Sequence, residues 1–374
     1  MTDMRIGIVL HGPEIVDTGS AKRIIDIFKR EHEVIAKLGG TMGRTAVLDA
    51  GLEDLIDISM GRTPSETIND LDGRIDLAIL LNQGKTLETG RYFGRIVASK
   101  IDRSDNVHFV HIESPDAGGR IIYYDPGAKP CAEYVKTILA THDEKYDLPV
   151  EIDLPHPSNI RPEGDNIVRT IKGAFPGENL RLEGIVIGYV TKDLPEIVCK
   201  DGKVVEIRGV RIKPHGLEKL EEKIIDLYTA KVKTGNIRRS QHRPKIKDLQ
   251  SGTQDKITII DHCAESTFEL MKDSGLVITV GDDTTAIAAD ILTRFGIPII
   301  GITDGDLDSV LENTAVPAGS VIIRVKEGKD DIVGREVFEK LLGCRQRIQI
   351  HETGDFLARL IALAEKDTLE IKYY

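Results

Sequence analysis

Acidic residues follow three successive apolar, β-type runs in the C-terminal third of the chain. The runs cover residues 257–260, 276–280 and 298–302, and helix-length segments separate them. The acidic residues that come after the runs are Asp261, then Asp282 and Asp283, then Asp304, Asp306 and Asp308. In an open parallel sheet, ligands bind outside the carboxyl ends of the strands. The carboxylates are therefore predicted to meet at one place, as a Mg²⁺ or phosphate site.

The aspartates after the third run have the spacing of a metal site. Asp304 and Asp306 form an Asp-x-Asp motif directly after the run, and Asp308 extends the alternation. Mg²⁺ takes one or two carboxylates and leaves its other positions to waters and substrate phosphates. The metal ligands that we expect are Asp282, Asp304, Asp306 and Asp308. The alternative is a polar turn whose aspartates cap the next helix.

A glycine and two small hydroxyl residues follow the second run. Gly281 comes directly after the run, and Thr284 and Thr285 precede a predicted helix over residues 286–294. Backbone N–H groups at the start of a helix bind anions, so these residues are predicted to contact the phosphate of a ligand. The alternative is a capped helix end that binds nothing.

One histidine stands at the end of the first run, directly after an aspartate. An imidazole titrates near neutral pH, so Asp261 and His262 are candidates for acid–base catalysis or metal binding. A structural role for the histidine is the alternative.

The stretch 229–247 is basic, with seven Lys or Arg residues and no acidic residue. Guanidinium groups bind phosphate through two hydrogen bonds, so Arg238 and Arg239 are predicted to neutralise a phosphorylated ligand. The stretch is also a candidate nucleic-acid contact, and a solvated basic surface is the alternative. The net charge of −11 argues against extensive nucleic-acid binding, because phosphate contacts depend on Lys and Arg.

The N-terminal part alternates strand-like and helix-like segments. Apolar runs over residues 5–10, 75–81 and 107–111 predict strands, and residues 20–30 have helical spacing with Ser20 as the N-cap. Strands that alternate with helices indicate a parallel sheet. We predict a Rossmann-like α/β domain over residues 1–145.

The middle region, residues 146–250, has a different pattern and is predicted to be a small α+β insert. A strand over 182–190, a hairpin over 196–208 and a helix over 217–228 are expected. The hairpin is predicted to turn at Asp201-Gly202, a favoured two-residue turn.

The α/β pattern returns in residues 251–374, for which we predict a third domain. Further strands over 321–325 and 345–350 and a closing helix over 356–365 are expected there.

Nothing in the sequence predicts a membrane segment or an export signal. No apolar run approaches the roughly 18 residues that span a bilayer. The first residues lack the basic, apolar and cleavage segments of a signal peptide. We expect a cytoplasmic protein without membrane contact and, on general grounds, a homo-oligomer.

The segment 257–310 resembles the Toprim domain of primases, topoisomerases and small nucleases. Gly281 and the Asp304/Asp306 pair match the glycine and the Asp-x-Asp motif of that family. Asp261 stands where the family has its acid–base glutamate, and Glu265 follows four residues later. The resemblance implies a Toprim-like C-terminal domain with Asp261, His262 and Glu265 as catalytic candidates.

Over its whole length the chain resembles a family of uncharacterised archaeal proteins, mainly from methanogens. The resemblance is carried by GIVIG (184–188), KPHGLEKL (213–220), IDHCAEST (260–267), VGDDTTAIAADIL (280–292) and IPIIGITDGD (297–306). It implies an archaeal cytosol and a domain of unknown function without assigned catalytic residues.

Three functional hypotheses follow. The first is a Mg²⁺-dependent enzyme that acts on a phosphate-containing small molecule or nucleotide by phosphoryl or nucleotidyl transfer or by hydrolysis. The second is a Toprim-like nucleic-acid-processing protein that uses the basic stretch, with strongly salt-dependent binding. The third is a non-catalytic metabolite sensor or assembly factor, indifferent to Mg²⁺.

Overall fold

The computed structural model describes residues 4–102, 107–153, 159–221, 223–235, 255–305, 315–349 and 353–374. The chain forms mixed α/β structure with two six-stranded sheets, one near each end, and two four-stranded sheets between them.

The N-terminal sheet has the strand order β2-β1-β3-β4-β5-β6. Its strands are β1 (Arg5–His11), β2 (Glu33–Gly39), β3 (Leu77–Asn82), β4 (His108–Glu113), β5 (Arg120–Tyr123) and β6 (Val150–Ile152). Strands β1 to β4 are parallel, whereas β5 runs antiparallel to β4 and parallel to β6. The order places β1 between β2 and β3, so the chain leaves β1 to one side and later returns to its other side. Such a switch point is where doubly wound sheets bind ligands.

Helices cover both faces of this sheet. They are α1 (Glu14–Asp17), α2 (Ser20–Phe28), α3 (Arg44–Ala50), α4 (Pro64–Asn69), α5 (Leu87–Ala98) and α6 (Lys129–His142). Alternate residues of β1 point to opposite faces, so Ile8 packs with α2 and α6 while Val9 packs with α4 and α5. The Rossmann-like prediction is thereby confirmed as an α/β fold. The predicted cap is wrong, because Gly19 is the N-cap of α2 and Ser20 is already its first helical residue.

The middle region is dominated by two antiparallel sheets of order β13-β10-β9-β14 and β12-β11-β8-β7. Its strands are β7 (Ile160–Glu163), β8 (Asn166–Thr170), β9 (Asn179–Leu182), β10 (Ile185–Val190), β11 (Glu196–Lys200), β12 (Lys203–Arg208), β13 (Val210–Ile212) and β14 (Val232–Thr234), and its helix is α7 (Pro214–Glu218). The hairpin at Asp201-Gly202 is confirmed. The single strand over 182–190 is wrong, since Glu183 and Gly184 turn the chain between β9 and β10 with positive φ.

The helix predicted over residues 217–228 is also wrong. Helix α7 ends at Glu218, and the chain continues in turns. Leu220, Ile225 and Leu227 pack into the core of the middle region, whereas Ile224 is 85% exposed. The apolar side chains are therefore buried at irregular spacing, and helical periodicity was a false signal here.

The C-terminal sheet has the order β19-β15-β16-β17-β18-β20. Its strands are β15 (Lys256–Asp261), β16 (Ser274–Val280), β17 (Ile299–Thr303), β18 (Val321–Val325), β19 (Arg347–Gln349) and β20 (Thr368–Tyr373), and its helices are α8 (Thr267–Leu270), α9 (Asp282–Thr293), α10 (Asp330–Glu336) and α11 (Thr353–Ala364). Strands β15 to β18 are parallel and β19 and β20 are antiparallel edge strands. Helices α8 and α9 pack on one face, and α10 and α11 on the other.

In the part of the chain described above, no helix is long and apolar enough to cross a membrane.

A buried ion pair joins the two α/β domains. Arg294 at the end of α9 donates from Nε and Nη2 to the two carboxylate oxygens of Asp49 in α3, at 2.9 and 2.7 Å. The two side chains are only 1% and 3% exposed. Two parallel hydrogen bonds constrain the relative orientation of the helices, because they hold the guanidinium and the carboxylate in one plane.

We predict that Asp49→Asn lowers the free energy of unfolding by about 3 kcal/mol, because the variant leaves a buried guanidinium without its main counter-charge. Asp26→Asn is the matched control. It removes the partner of Lys22 in an exposed i,i+4 pair and should cost less than about 0.5 kcal/mol. Equilibrium urea unfolding followed by tyrosine fluorescence measures both. Equal free energies of unfolding for the two variants would show that the buried pair contributes no more to stability than the exposed pair does.

Candidate functional site

The carboxyl ends of four parallel strands carry the candidate site. Strands β15, β16 and β17 are adjacent and parallel, as the sequence predicted. Asp261 ends β15, while Asp282 and Asp304 follow β16 and β17. The prediction that these carboxylates leave the sheet at one edge is confirmed.

The fourth strand adds two acidic residues that the sequence analysis missed. Asp330 and Asp331 are the first residues of α10, which follows β18 after a four-residue loop. The signal was present in the sequence, because an Asp-Asp pair follows the next apolar run along the chain.

Asp331 is the centre of the site. Its Oδ1 lies 3.2 Å from Nε2 of His262, and its Oδ2 lies 2.8 Å from Nζ of Lys219 and 3.4 Å from Nε2 of His215. Burial raises the pKa of the Asp331 carboxyl, but the Lys219 ammonium and the His262 imidazole outweigh burial and bring the pKa below its ordinary value. The carboxylate is therefore held in its charged form.

Two of these partners come from the middle region. His215 lies in α7, and Lys219 follows that helix directly. A second contact across the same boundary joins Arg181 of β9 to Asp283 of α9, with Nη2 3.0 Å from Oδ2. The middle region thus supplies cationic side chains to an edge where the C-terminal domain gathers carboxylates.

His262 is held in an unusual backbone conformation. Its φ is +51°, which a residue other than glycine rarely adopts. Its Nδ1 faces Oδ1 of Asp261 in a short contact, and its Nε2 lies 3.1 Å from Nζ of Lys219. Burial lowers the pKa of His262, but the Asp261 hydrogen bond and the nearby Asp331 charge give a net rise. Backbone strain in such positions is often found at functional sites.

Among the acidic residues that the structure describes at this edge, Asp330 is the most buried, at 4% exposure. Burial raises the pKa of its carboxyl, and the neighbouring Asp304 and Asp331 raise it further. Asp304 accepts a hydrogen bond of 2.9 Å from the Gly328 amide. Like charges have been brought together here, and a cation would relieve their repulsion.

Two overlapping groups of side chains lie close enough together to hold a metal ion. The first consists of Asp261, His262 and Asp331, the second of His215, Asp330 and Asp331. Within each group the candidate ligand atoms all lie within 4.8 Å of one another. Asp331 belongs to both groups, so its two oxygens could be shared between neighbouring cations.

Two of the predicted metal ligands, Asp282 and Asp304, lie beside these groups rather than in them. Each accepts a backbone N–H across two loops, Asp282 from Gly305 at 3.3 Å and Asp304 from Gly328 at 2.9 Å. They therefore hold the loops together. The remaining predicted ligands, Asp306 and Asp308, lie outside the described residues, as do Arg238 and Arg239.

The residues predicted to bind phosphate are largely engaged in the fold. Gly281 caps α9 with φ +94°, and a Cβ there would lie 3.2 Å from Nε2 of His262. Thr285 Oγ1 is 2.8 Å from Thr279 Oγ1 in the core, and Thr284 is buried. Gly281 is the N-cap of α9, and no side chain caps the helix; phosphate contact by these residues stays a prediction.

Glu265 lies in a different place from Asp261 and His262. It lines a small groove between the N-terminal and C-terminal domains, where Thr41 and Met42 face Phe268. The catalytic role that the Toprim resemblance implied for it stays a prediction.

We predict that Lys219→Met raises the pKa of Asp331, because the ammonium that offsets burial is removed. The folded-state pKa of Asp331 is depressed, so its stabilising effect is present above the unfolded value of 3.8 and is lost as pH falls through the folded value. Titration of ¹³C-labelled aspartate carboxyls by NMR measures the shift. Lys22→Met, which removes an exposed lysine from α2, should leave the Asp331 signal unchanged. An unaltered Asp331 pKa in Lys219→Met would contradict the contact.

Comparison with known proteins places the chain in a family without an assigned activity. Residues 8–344 match the family DUF2117, described as an uncharacterized protein conserved in archaea. An uncharacterized protein of Methanocaldococcus jannaschii is 40% identical over 363 residues, which cover 96% of each chain. These matches confirm the archaeal, methanogen family that the sequence phrases indicated, and they leave the Toprim resemblance a prediction.

A crystal structure of a UDP-N-acetylglucosamine 2-epimerase aligns with 94% of this chain and 100% of its own, at 11% identity and a TM-score of 0.21. A likeness at that level supports no argument about fold or activity. The family match covers most of the chain, and the protein belongs to the archaeal family DUF2117.

Proposed function

We propose that this protein is a divalent-metal-dependent enzyme that acts on a phosphate-containing small molecule or nucleotide. The observation that carries the proposal is the sharing of Asp331 between two groups that each combine one imidazole with two carboxylates. Carboxylates collected at the end of parallel strands are common, but imidazoles from two domains aimed at the same carboxylate are not explained by helix capping.

The donor set bears on which metal the site would take. Mg²⁺ was expected from a site of aspartates alone, and it prefers oxygen ligands. Imidazole suits Zn²⁺ and other transition metals better. With His262 and His215 among the ligands, we propose Mn²⁺ or Zn²⁺ ahead of Mg²⁺. Asp261, Asp330 and Asp331 would supply the carboxylates.

The chemistry that such a cation supplies is polarisation of a phosphoryl oxygen and a lowered pKa of bound water. The protein's own side chains would do the rest. Asp304 and Asp282 hold the loops that carry the site, and Asp261 orients the His262 ring through Nδ1. Orientation of a ligand imidazole by a carboxylate is a usual feature of metal sites.

Lys219 has a separate role in this proposal. Its ammonium lies 2.8 Å from Asp331, at the position that the proposed metal ion would take. A metal on Asp331 would displace the ammonium, which would then be available to a phosphate of the substrate. Lys219 and the metal therefore compete for one carboxylate, and this competition makes the proposal testable.

We expect Asp331→Asn to weaken Mn²⁺ and Zn²⁺ binding by at least about 100-fold, since loss of even an outer-shell partner costs about 10–100-fold. Lys219→Met should bind the same metals at least as tightly as the wild type, because the competing ammonium is gone. Isothermal titration of chelator-treated protein measures both affinities. The Asp283→Asn variant is the control, since Asp283 lies at the same edge but pairs with Arg181.

Turnover of p-nitrophenyl phosphate and its bis ester then tests the reaction class. Metal-dependent release of p-nitrophenol, lost in Asp331→Asn and reduced in Lys219→Met, is the expected result. Equal metal affinity in the wild type and Asp331→Asn would contradict the proposal and leave an ion-pair network that holds two domains together.

A further inference from the structure

The N-terminal domain contains a buried chain of polar side chains at the carboxyl edge of its own sheet. The chain runs from His11 at the end of β1 through Asn82 at the end of β3 to Glu113 at the end of β4, and then to His111 and Tyr124. It lies in a different domain from the site discussed above and does not depend on the proposed function.

Glu113 is surrounded by hydrogen-bond donors. Its Oε1 lies 2.7 Å from the Gly84 amide and 2.5 Å from Ser114 Oγ. Its Oε2 lies 2.7 Å from Asn82 Nδ2 and 3.0 Å from His111 Nε2. A carboxylate accepts about four hydrogen bonds when ionised, and all four places are taken. Glu113 is therefore a buried anion, although it is fully inaccessible to solvent.

The charge on Glu113 fixes the protons along the rest of the chain. Asn82 must donate from Nδ2 to Glu113, so its Oδ1 faces Nδ1 of His11, at 2.9 Å. A carbonyl oxygen only accepts, so His11 carries its proton on Nδ1. In a neutral imidazole with that tautomer, Nε2 holds a lone pair.

His11 is neutral and fixed in orientation. Burial lowers its pKa, while the Asn82 hydrogen bond and the Glu113 charge oppose the fall and His111 adds to it. Its ring stacks on Phe93 with 3.9 Å between centroids and 22° between planes. Of the two ring nitrogens of His11, Nδ1 alone has a hydrogen-bond partner among the residues that the structure describes. The side chain is half-buried. In this network of polar side chains, Nε2 of His11 is thus the atom that remains for a ligand.

His11 stands at the switch point of the sheet. Strands β1 and β3 are adjacent, and His11 pairs in register with Asn82. The loop after β2 also reaches the ring, since a Cβ on Gly40 would lie 3.8 Å from Cδ2 of His11. The crevice at this place is where doubly wound sheets bind ligands.

We infer that the N-terminal domain has a second ligand site in which Nε2 of His11 accepts a proton or a hydrogen bond from a hydroxyl or amino group. The ligand is neutral or cationic rather than anionic. Behind His11, beyond Asn82, lies the Glu113 anion, and its charge disfavours a phosphate at this place. Lys85, in the loop after Asn82, is engaged with Gly173 and Glu178 of the middle region.

The tautomer can be measured on the intact chain labelled with [¹⁵N]histidine. Long-range ¹⁵N–¹H correlation should show His11 protonated on Nδ1 and unprotonated on Nε2 at pH 7, with the signal assigned by its loss in His11→Gln. A proton on Nε2 at that pH would overturn the inference. The tautomer is read on the wild-type chain, and the His11→Gln variant serves only to assign the signal.

Reactivity tests whether Nε2 is open to a ligand. Diethyl pyrocarbonate attacks an unprotonated imidazole nitrogen, so peptide mass mapping should find His11 modified well before the buried His111. In Glu113→Gln the side-chain amide can turn Asn82 around and move the His11 proton to Nε2, so modification should be markedly slower than in the wild type. Glu151→Gln, which alters a carboxylate paired with Arg91 and Arg120, should react like the wild type. An unreactive His11, or equal rates in both variants, would overturn the inference.

The class of ligand is tested with inorganic phosphate. Phosphate should leave the His11 signal and its rate of modification unchanged, because the Glu113 anion repels it. A shift of the His11 signal or protection from modification by phosphate would show an anion site and contradict the proposed ligand class.

Discussion

Asp331 joins two parts of the molecule through a single carboxylate. Four parallel strands of the C-terminal domain deliver carboxylates to one edge, and the Lys219 ammonium and the His215 ring of the middle region contact Asp331 there. Lys219 and His262 bring the pKa of Asp331 below its ordinary value, and His262 makes its contact from a backbone with positive φ. Because Lys219 contacts the same carboxylate, a cation that binds Asp331 must compete with it.

The two α/β domains use the same edge of a sheet for opposite electrostatic arrangements. In the N-terminal domain one carboxylate, Glu113, is surrounded by four donors and needs nothing further. In the C-terminal domain, Asp330 has neighbours that are themselves carboxylates, and its pKa is raised. The first edge is a satisfied network that sets a tautomer, and the second is a collection of acids that a cation would stabilise.

Local patterns were enough to predict most of the strands and the meeting of Asp261, Asp282 and Asp304 at one edge. An apolar run of four to eight residues indicates a buried strand. Since the carboxyl ends of parallel strands lie at the same edge of a sheet, residues that follow such runs are predicted to lie near one another. The same rule missed His11, Asn82 and Glu113, although they end strands in the same way. They are spread over about a hundred residues, and no charge cluster draws attention to them.

The predictions failed where the answer depends on contacts distant in sequence. His215 and Lys219 have no local signal for a role beside Asp331, because their partner lies more than a hundred residues later. The false helix over 217–228 has the same origin, since the core of the middle region decides which apolar residues are buried. Tertiary packing overrides periodicity in a segment this short.

Anomalous diffraction from crystals soaked in Mn²⁺ tests the central claim most directly. The account predicts a peak beside Asp331, within bonding distance of a histidine nitrogen, with the Lys219 ammonium moved away from the carboxylate. An Asp331–Lys219 ion pair that stays intact, with no peak at this edge, would contradict it.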